Sequence, residues 1–583
     1  MPSRFSFGSL SLLFALLAVG CAGGARRTTP VVGVPEVPEA RPALHWSNGA
    51  MVAAANPLAV EAGLEVLRAG GSAVDAAIAV QAVLGLVEPQ SSGIGGGAFM
   101  LHYSAATGDV VAYDGREVAP RGATPALFLD PAGQPLAFFR AQKSGRSTGV
   151  PGVVAMLELA HQEHGRLAWS VPWQPAIQLA EKGFPVPPRL AMLLRTAVGG
   201  DPLGADVQRY LLRDGAPLAE GQRLQNSAYA ATLRRIAHEG ARGFYTGPVA
   251  ASIVAAVANE PLPGTLTLED LKTYRPQRLQ PLCAPYRVYV VCGMRPPSSG
   301  GVAVLSVLGT LSHFDLAATP YDSVLGWHYF IEAQRLAYAD RDMYVADDHY
   351  VQVPLAGLID ADYLASRAAL IQADHALVSV EAGNPPGSTR MAADPAGGFS
   401  GTSHFVVVDV RGDVVSMTTT VESLFGSQRM ASGFFLNNQL TDFSFLPTGS
   451  DGKAFANAPA AGKKPRSSMS PTLVFHDGAF ELAIGSPGGN AIISYVSKAL
   501  VGMLDWNLTP QQAIDLPNVV ARGPVLAEGR LDPALREGLV GLGHVFGTGR
   551  GAEGSGLHVV RVTPGGGLAG GADSRRDGVA RSP

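Results

Sequence analysis

Apolar residues in the first part of the chain recur at the spacing of helices. The Asn-Pro pair at 56–57 is typical of a helix N-terminus, and the Gly-Gly pair at 70–71 of a helix end. Ser72 then opens a second helix, Ala73–Val87, which is apolar on nearly every face and is therefore predicted to be buried. A glycine-rich loop, 91–97, then precedes an apolar run, Ala98–Tyr103, that predicts a strand. A nucleotide-binding loop requires the opposite order, so this loop argues against nucleotide binding.

The middle of the chain, roughly 151–374, has mainly helical periodicity, and a polar Gly/Pro-rich stretch follows at 383–400. The pattern changes abruptly at Thr402. Two β-rich runs, Phe405–Val410 and Val414–Thr420, flank an Arg-Gly-Asp sequence, which predicts a β-hairpin. Later elements are predicted as strands at Thr472–Phe475 and Phe480–Ile484 and as a helix at Ala491–Leu504. Together these elements indicate a mixed α/β or α+β protein.

The register of this hairpin has a chemical consequence. If its loop is residues 411–413, Thr402 faces Glu422 across the ladder, and Thr420 lies diagonally on the same face. A two-residue loop would break this parity. With the longer loop, the hairpin gathers a hydroxyl nucleophile, a second hydroxyl and a carboxylate.

Composition places the chain among well-buried globular proteins. Of its 583 residues, 47% are hydrophobic and 16% are charged. The formal net charge is -4 and no basic run stands out, which argues against nucleic acid as a partner.

The N-terminus has the features of an export signal. Arg4 precedes an apolar stretch, Leu10–Val19, that is too short to span a bilayer. Residues 17–21 (Leu-Ala-Val-Gly-Cys) resemble the lipobox of bacterial lipoproteins, although Ala18 stands where leucine is more usual. The alternative is an ordinary signal peptide with an incidental cysteine.

The lipobox interpretation predicts a signal peptide at 1–20 and a lipidated N-terminal Cys21. Residues 21–42, rich in proline and without apolar periodicity, are then a tether. We expect an exported periplasmic protein that is held to the bacterial outer membrane by this lipid alone.

Two further cysteines, Cys283 and Cys292, are compatible with a disulfide in an exported protein. The run between them, Tyr286–Val291, predicts one continuous strand, and two cysteines that far apart along a strand do not meet. Two buried free thiols are at least as good a prediction. His161 and His164 lack the spacing of a zinc protease, and no other pattern implies a metal.

Several short segments are informative as a set. Thr402–Asp409 begins Thr-Ser-His-Phe, close to a Thr-Thr-His-(Tyr/Phe) pattern. The other segments are Ser91–Gly97, Asp114–Glu117, Pro297–Gly301, Leu436–Phe443, Ser467–Thr472 and Gly485–Gly489. In this order and spacing they resemble the γ-glutamyltransferase family of N-terminal-nucleophile hydrolases, over nearly the whole mature chain. The resemblance implies an α+β fold, the four-layer αββα sandwich with two stacked antiparallel sheets between helical layers.

The resemblance also implies that the chain cuts its own Gly401–Thr402 bond, with the Thr402 hydroxyl as the nucleophile. In isolation, a threonine that begins a β-strand is better explained as an ordinary strand residue. A threonine hydroxyl needs a base, and cleavage frees an α-amine with a pKa of about 7.7–8 that suits this task. Cleavage would leave residues 43–401 as a large subunit and 402–583 as a small one, in one interleaved core.

Attack on an amide carbonyl develops an oxyanion, which is best met by backbone N–H groups. The resemblance assigns this role to Gly488 and Gly489 and makes Thr420 the hydroxyl that orients the nucleophile. A turn and a strand threonine are the plain structural alternatives.

A γ-glutamyl group presents an α-carboxylate and an α-ammonium, and a buried pocket must pair both. Arginine suits the carboxylate, and an acidic Asp442 rewards a free amino group and disfavours a glutaryl group that lacks one. The resemblance assigns the carboxylate to Arg116, Ser467 and Ser468, and the ammonium to Glu422, Gln439 and Asp442.

Two departures from the family pattern stand out. Ala491 occupies a position where many relatives have arginine, and Phe445–Arg466 is shorter than in relatives with a tyrosine-bearing lid. A more open site would admit bulky acceptors and water, which favours hydrolysis over transfer.

The predicted reaction is acyl transfer without a cofactor. Thr402 takes the γ-glutamyl group from glutathione or a similar amide and passes it to water or to an amino acid or peptide. Two rivals differ in class: a glutaryl-type acylase related to cephalosporin acylases, and an uncleaved lipoprotein that only binds γ-glutamyl peptides.

Overall fold

The structure, a computed structural model, describes residue 1 and residues 49–198, 201–394, 401–548 and 554–583. The predicted signal peptide, Cys21 and the tether therefore lie outside the described residues. Among the helices that are described, none combines the length and the apolarity needed to cross a membrane.

Two large antiparallel sheets form the centre of the protein. Their strands, numbered in chain order, are β1 (Met51–Ala54), β2 (Gly97–Tyr103), β3 (Val110–Gly115), β4 (Gln277–Leu279), β5 (Leu282–Tyr286), β6 (Tyr289–Gly293), β7 (Gly401–Val408), β8 (Val414–Glu422), β9 (Thr472–His476), β10 (Ala479–Gly485), β11 (His558–Val562), β12 (Leu568–Ala572) and β13 (Val579–Arg581). The first sheet has the order β13-β1-β7-β8-β2-β3-β4, and the second has the order β12-β11-β10-β9-β6-β5. Four short strand pairs lie outside them: Phe184–Pro185 with Arg223–Leu224, Leu212–Arg213 with Ala216–Pro217, Met430–Ala431 with Phe434–Phe435, and Val519–Val520 with Leu526–Ala527.

The helices are distributed on the outer faces of these sheets. They are α1 (Pro57–Arg68), α2 (Ala73–Val87), α3 (Phe138–Gln142), α4 (Val153–His164), α5 (Gln174–Lys182), α6 (Pro188–Val198), α7 (Ala205–Leu211), α8 (Ser227–Glu239), α9 (Arg242–Tyr245), α10 (Gly247–Ala258), α11 (Leu268–Thr273), α12 (Gly300–Leu311), α13 (Val324–Tyr344), α14 (Leu355–Leu358), α15 (Ala361–Ala368), α16 (Ile492–Leu504), α17 (Pro510–Asp515) and α18 (Pro533–Gly541). Short 3₁₀ turns occur at Gly145–Ser147, Gln439–Asp442 and Gly489–Ala491. The N-caps predicted before α1 and α2 are present, since the side chains of Asn56 and Ser72 accept hydrogen bonds from backbone N–H groups of the first turns.

The layers are helix, sheet, sheet, helix. Helix α2 packs on β7 and β8, the two sheets stack through β1, β7 and β8 against β10, β11 and β12, and α12 and α16 cover the second sheet. Strand β7 is buried on both faces: Phe405 and Val407 join the core beneath α1 and α2, whereas Val406 and Val408 join the core between the sheets. This is the αββα sandwich that the sequence resemblance implied.

The β7–β8 hairpin has a different register from the predicted one. Its loop is five residues, 409–413, so Val408 pairs with Val414 and Thr402 pairs directly with Thr420 rather than with Glu422. The side chain of Asp409 accepts from the N–H groups of Arg411 and Asp413, which withdraws Asp409 and its successor from the ladder. The shift is even, so both threonines keep the face that was predicted for them.

Of the two states that the sequence left open for Cys283 and Cys292, the structure has the disulfide, and the single strand predicted between them is wrong. The segment that was predicted as one strand turns back at Arg287, whose φ of 56 lies in the left-handed region. Strands β5 and β6 therefore pair, and the two cysteines face each other across the ladder. The Arg287 guanidinium holds this turn by donating to the Asp505 carboxylate and to the carbonyl of Ser312, just beyond α12.

Candidate active site

Two hydroxyl groups, those of Thr402 and Thr420, come together in the first sheet, where β7 begins and β8 ends. Thr402 and Thr420 lie on the face that looks toward the second sheet, because side chains alternate along β7 and Thr402 has the parity of Val406 and Val408. Their Oγ1 atoms are 3.1 Å apart, and both residues are buried, at 4% and 2% exposed.

Thr420 is bonded to the peptide that precedes Thr402. Its Oγ1 donates to the carbonyl oxygen of Gly401 at 2.8 Å and accepts from the N–H of Glu422 at 2.8 Å. A hydroxyl has one proton to donate, so with that proton on the Gly401 carbonyl the Thr402 hydroxyl is the donor of the Thr402–Thr420 bond. The Gly401 carbonyl is thereby polarised beside a hydroxyl nucleophile.

The glycine loop 91–97 supports this pair from the other side of the sheet. A Cβ on Gly96 would lie 1.9 Å from the carbonyl oxygen of Thr420, so only glycine allows the loop to approach the strand this closely. The loop therefore positions β8, and this explains its glycines without a bound phosphate.

A cavity of about 30 Å³ opens beside the two threonines. Most of the residues predicted for the site line it, although their individual roles remain predictions. The lining residues are Arg116, Thr402, Thr420, Glu422, Gln439, Asp442, Arg466, Ser467, Ser468, Met469, Gly489, Asn490 and Ile492. Gly488 precedes this lining by one residue.

Gly488 and Gly489 form the turn that leads into α16. Their φ values are 141 and 56, which glycine adopts without strain, and a Cβ on Gly488 would lie 2.4 Å from the Tyr495 ring. The 3₁₀ turn and helix that follow leave the first N–H groups without intrahelical acceptors. This is the local geometry that an oxyanion site requires.

Arg116 follows β3 directly and is fully buried. Its guanidinium bonds other parts of the protein, and the residue also lines the cavity. Its Nη2 donates to Asp442 at 2.7 Å and to the carbonyl of Arg466, and its Nε donates to the carbonyl of Pro465. Its Nη1 is buried without a hydrogen-bond partner. The two groups predicted to bind opposite ends of a substrate thus bind each other here.

Asp442 ends a 3₁₀ turn and is the most exposed of these side chains, at 19%. It accepts from Arg116 and, at 2.6 Å, from the Gln439 side-chain nitrogen. Glu422 ends β8 with a φ of 80, and its carboxylate accepts from Ser423 and Asn438. Strain at a non-glycine residue beside a reactive peptide is typical of functional sites.

Arg341 of α13 supports the site from outside the cavity lining and was not predicted from the sequence. Its Nη2 donates to Ser468 and to Asn490, both of which line the cavity, at 2.7 Å each. Burial lowers the pKa of Arg341 to about 10, which leaves it charged at neutral pH. Neither the helix pattern nor the spacing indicated it, because it contacts residues more than a hundred positions later. Ala491, the departure noted above, is buried beside Asn490.

Arg576 is a second missed residue. Its Nη1 donates to the carbonyl of Thr402 at 2.8 Å, and burial lowers its pKa to about 9. It fixes the backbone of the nucleophile from the C-terminal end of the chain. Its only sequence signal was an Arg-Arg pair in a polar loop.

Glu117 lies behind Arg116 and is also fully buried. Its carboxylate oxygens have no hydrogen-bond partner, and Nη1 of Arg116 is 3.7 Å away. Burial raises the pKa of Glu117 to about 8 against the opposing attraction of Arg116. Because Glu117 is then neutral at pH 7, it does not neutralise the charge of Arg116, which acts on Asp442 and on the cavity.

Taken together, the geometry places a polarised Gly–Thr peptide, a glycine turn at a helix start and an arginine–carboxylate pair around one cavity. The family model for γ-glutamyltranspeptidase matches residues 59–582, nearly all of the described chain. The chain belongs to this family.

Known relatives of this γ-glutamyltranspeptidase family member include hydrolases and acylases. The glutathione hydrolase proenzyme of Bacillus subtilis (strain 168) is 37% identical over 551 residues, covering 91% of both chains. The acylase ACY 1 proenzyme of Pseudomonas sp. (strain SE83) is 33% identical over 538 residues, covering 91% of this chain and 92% of that one. Among solved structures, the cephalosporin acylase of Bacillus halodurans has a TM-score of 0.80 at 27% identity and covers 91% of this chain and 95% of its own.

Proposed function

We propose that this protein is a self-cleaving γ-glutamyltransferase and glutathione hydrolase. The observation that supports it best is the hydrogen-bonded pair Thr402–Thr420 with the Gly401 carbonyl as its third member. The family membership and the proenzyme relatives agree with this function.

Maturation begins with the Thr402 hydroxyl. Its oxygen bonds to the Gly401 carbonyl carbon, the C–N bond breaks, and the hydroxyl proton ends on the released nitrogen. Water then hydrolyses the ester, which gives a Gly401 carboxylate and restores the Thr402 hydroxyl. Thr420 stabilises the charge that develops on the Gly401 oxygen, since it already donates to that atom.

In the mature enzyme the free α-amine of Thr402 serves as the base. The Thr402 hydroxyl gives its proton to this base and attacks the γ-carbonyl of the donor. The amine of the donor then leaves with that proton, and the acyl-enzyme passes its γ-glutamyl group to water or to an amino acceptor. The N–H groups of the Gly488–Gly489 turn receive the oxyanion.

Substrate recognition rests on charges in the cavity. The Nη1 of Arg116, which has no hydrogen-bond partner, receives the α-carboxylate together with Ser467 and Ser468, and Asp442 receives the α-ammonium. A cavity of about 30 Å³ holds roughly two waters, which is too little for a γ-glutamyl group unless the Arg116–Asp442 pair separates. We infer that the pair closes the pocket and is replaced by the two charges of the substrate.

Self-cleavage is tested by a denaturing gel of the purified protein with N-terminal sequencing. We expect two bands, the smaller beginning at Thr402, and a single uncleaved band for T402A. S403A is the matched control, because the Ser403 hydroxyl bonds Ser92 on the opposite face of the strand. A single full-length wild-type band that persists on incubation would contradict the proposal.

A glutaryl-type acylase is the second candidate, favoured by the structural likeness to a cephalosporin acylase. Hydrolysis of γ-glutamyl and glutaryl anilides decides between them. We expect the γ-glutamyl anilide to be preferred, and D442A to lose at least roughly 10-fold of that preference, as for one charge-assisted contact. A glutaryl preference in the wild type would assign the protein to the acylases.

The balance of hydrolysis and transfer is a separate proposal. The short segment Phe445–Arg466 begins with Phe445 stacked on Phe128, with ring centroids 4.6 Å apart. We propose that this short segment leaves the site open to water and favours hydrolysis. Partition ratios with a dipeptide acceptor test this, and transfer far in excess of hydrolysis at neutral pH would contradict it.

We also propose export and lipid attachment at Cys21, supported by the lipobox resemblance of residues 17–21. Expression in a bacterial host with labelled palmitate should label the wild type in the membrane fraction and leave C21S unlabelled. Label on C21S would contradict the site.

A further inference from the structure

A second cluster of chemically reactive side chains lies away from the catalytic cavity. His328 and Glu332 occupy successive turns of α13, and His544 reaches them from the segment after α18. All three are buried, at 0%, 0% and 4% exposed. One donor atom from each lies within 4.8 Å of the other two.

The hydrogen bonds indicate which ring nitrogens are available to a metal. His328 Nε2 is 2.6 Å from the carbonyl of Gln372, so this nitrogen is the donor and Nδ1 has the lone pair. His328 Nδ1 faces Nε2 of His544 at 2.8 Å, so these two nitrogens can present their lone pairs to one ion. The proton of a neutral His544 is then on Nδ1, which faces Oε1 of Glu332 at 3.5 Å.

The carboxylate of Glu332 is incompletely paired inside the protein. Its Oε1 accepts from Arg335 at 2.8 Å, whereas Oε2 is buried without a hydrogen-bond partner. A buried carboxylate oxygen without a partner is costly, and a cation held by this cluster would offset that cost.

We propose that His328, Glu332 and His544 bind a divalent transition-metal ion of the Zn²⁺ class. Two imidazoles and one carboxylate form a common protein donor set for Zn²⁺. Tetrahedral bonds of about 2.1 Å place donor atoms roughly 3.4 Å apart, between the 2.8 Å and 4.8 Å limits of this cluster. The bond from His328 Nε2 to a backbone carbonyl is the outer contact that orients metal-binding histidines.

The ion would join the two halves of the chain. His328 and Glu332 precede Gly401 and His544 follows it, so on the proposed self-cleavage the ligands belong to different fragments. The same helix α13 supplies Arg341 to the catalytic cavity. Metal binding should therefore stabilise the association of the fragments, and the site itself does not depend on whether the chain is cleaved.

The sequence did not reveal this site, and the prediction of no metal rested on local spacing. His328 and Glu332 lie at the i, i+4 spacing of one helix face, which is common without a metal. The third ligand is 216 residues from His328, so no spacing pattern contains it. Only the packing of α13 against α18 and the segment after it brings the three together.

The first test uses the wild-type full chain. Protein treated with chelator and desalted is titrated with Zn²⁺ and, in parallel, with Co²⁺, whose visible absorption reports tetrahedral nitrogen and oxygen ligands. We expect one ion per chain, visible Co²⁺ bands that Zn²⁺ abolishes, and a thermal midpoint that rises with added Zn²⁺.

The second test assigns the ligands. H544Q should weaken Zn²⁺ binding by at least roughly 100-fold and abolish the effect of chelator on the thermal midpoint. H375Q is the matched control, because His375 lies just beyond Gln372 but is exposed and pairs with Asp374. It should bind one ion as the wild type does.

Stoichiometric binding lost in H544Q and kept in H375Q supports the site. No Co²⁺ absorption and no Zn²⁺-dependent stabilisation in the wild type would overturn it and leave the cluster as a hydrogen-bonded histidine pair beside Glu332. Equal Zn²⁺ binding by H544Q and wild type would overturn it as well. Neither outcome bears on self-cleavage, which is measured separately by the gel.

Discussion

At the scale of single residues, Thr420 makes the most consequential contacts of the site. Its one hydroxyl joins the nucleophile, the carbonyl to be attacked and the backbone N–H of Glu422. The residue type and its face were predictable from strand alternation. Its direct pairing with Thr402 was not, because it depends on how many residues the distant loop withdraws from the ladder.

Replacing Thr420 by valine keeps the shape of the side chain but removes the donor to Gly401. We expect T420V to slow self-cleavage on the order of 100-fold, as for the loss of one oxyanion donor. The measurement is the time course of fragment appearance after purification. T419V, at a buried neighbour that points to the opposite face, should cleave at the wild-type rate. Equal rates for T420V and T419V would show that this hydroxyl is dispensable.

Glu117 makes the stability of the folded protein depend on pH. Its folded pKa of about 8 lies above its ordinary value of 4.5, so between these values the unfolded chain has lost a proton that the folded chain keeps. The stability of the wild type therefore falls over this range by up to about 1.4 kcal/mol per pH unit from this group, and the penalty is constant above pH 8. Below pH 4.5 both states are protonated and the effect vanishes.

E117Q removes this titration. Urea unfolding at several pH values should show E117Q gaining stability relative to the wild type from pH 4.5 to 8 and no further gain above. E61Q, an exposed glutamate on α1, is the control and should run parallel to the wild type. A constant difference between E117Q and the wild type across this range would refute the raised pKa.

At the scale of elements, turns decided what strand patterns left open. Arg166 bonds both Asp409 and Asp413 at the ends of the β7–β8 loop, which holds five residues out of the ladder. Arg287 does the same for the β5–β6 turn through Asp505. Both contacts join residues far apart in the chain, so the apolar runs alone predicted the strands but misplaced one turn and missed the other.

The disulfide of the β5–β6 hairpin should contribute measurably to stability. The cysteines are nine residues apart. Closing a loop of this size lowers the entropy of the unfolded chain and raises the free energy of unfolding by about 2–3 kcal/mol. Reduction, or the C283S/C292S double variant, should lower the urea midpoint of unfolding accordingly. Adding reductant to the double variant serves as the control and should change nothing. An unchanged midpoint for the reduced wild type would contradict this contribution.

At the scale of the whole molecule, the strand order makes the two sides of the Gly401–Thr402 bond inseparable. In the first sheet β1 from the early part of the chain lies between β13 and β7 of the late part, and β8 pairs with β2. In the second sheet β6 pairs with β9. Each sheet is thus built from both sides of the bond, and the cores on both faces of β7 combine them as well.

Cleavage should therefore leave one particle. We expect the two fragments to co-elute in gel filtration and to separate only in denaturant, because separation would expose both cores. Residues 402–583 expressed alone should fail to fold, with T402A, an uncleaved full-length chain, as the folded control. Fragments that separate in native buffer would contradict the shared core.

The sequence by itself determined the features that are local or that form a motif. These are the caps of α1 and α2, the buried helix Ala73–Val87, the hairpin at Thr402 and most of the residues that line the cavity. Short-range periodicity and residue chemistry suffice for them, because each depends on neighbours within one or two turns or on a recognised segment.

Only the tertiary structure decided the hairpin register, the disulfide, the closed Arg116–Asp442 pair, the placement of Arg341 and Arg576, and the cluster around His544. Each of these joins residues that are brought together by sheet stacking and helix packing. Local patterns contain no information about such pairs, since the burial and charge that fix them arise only when the layers close on one another.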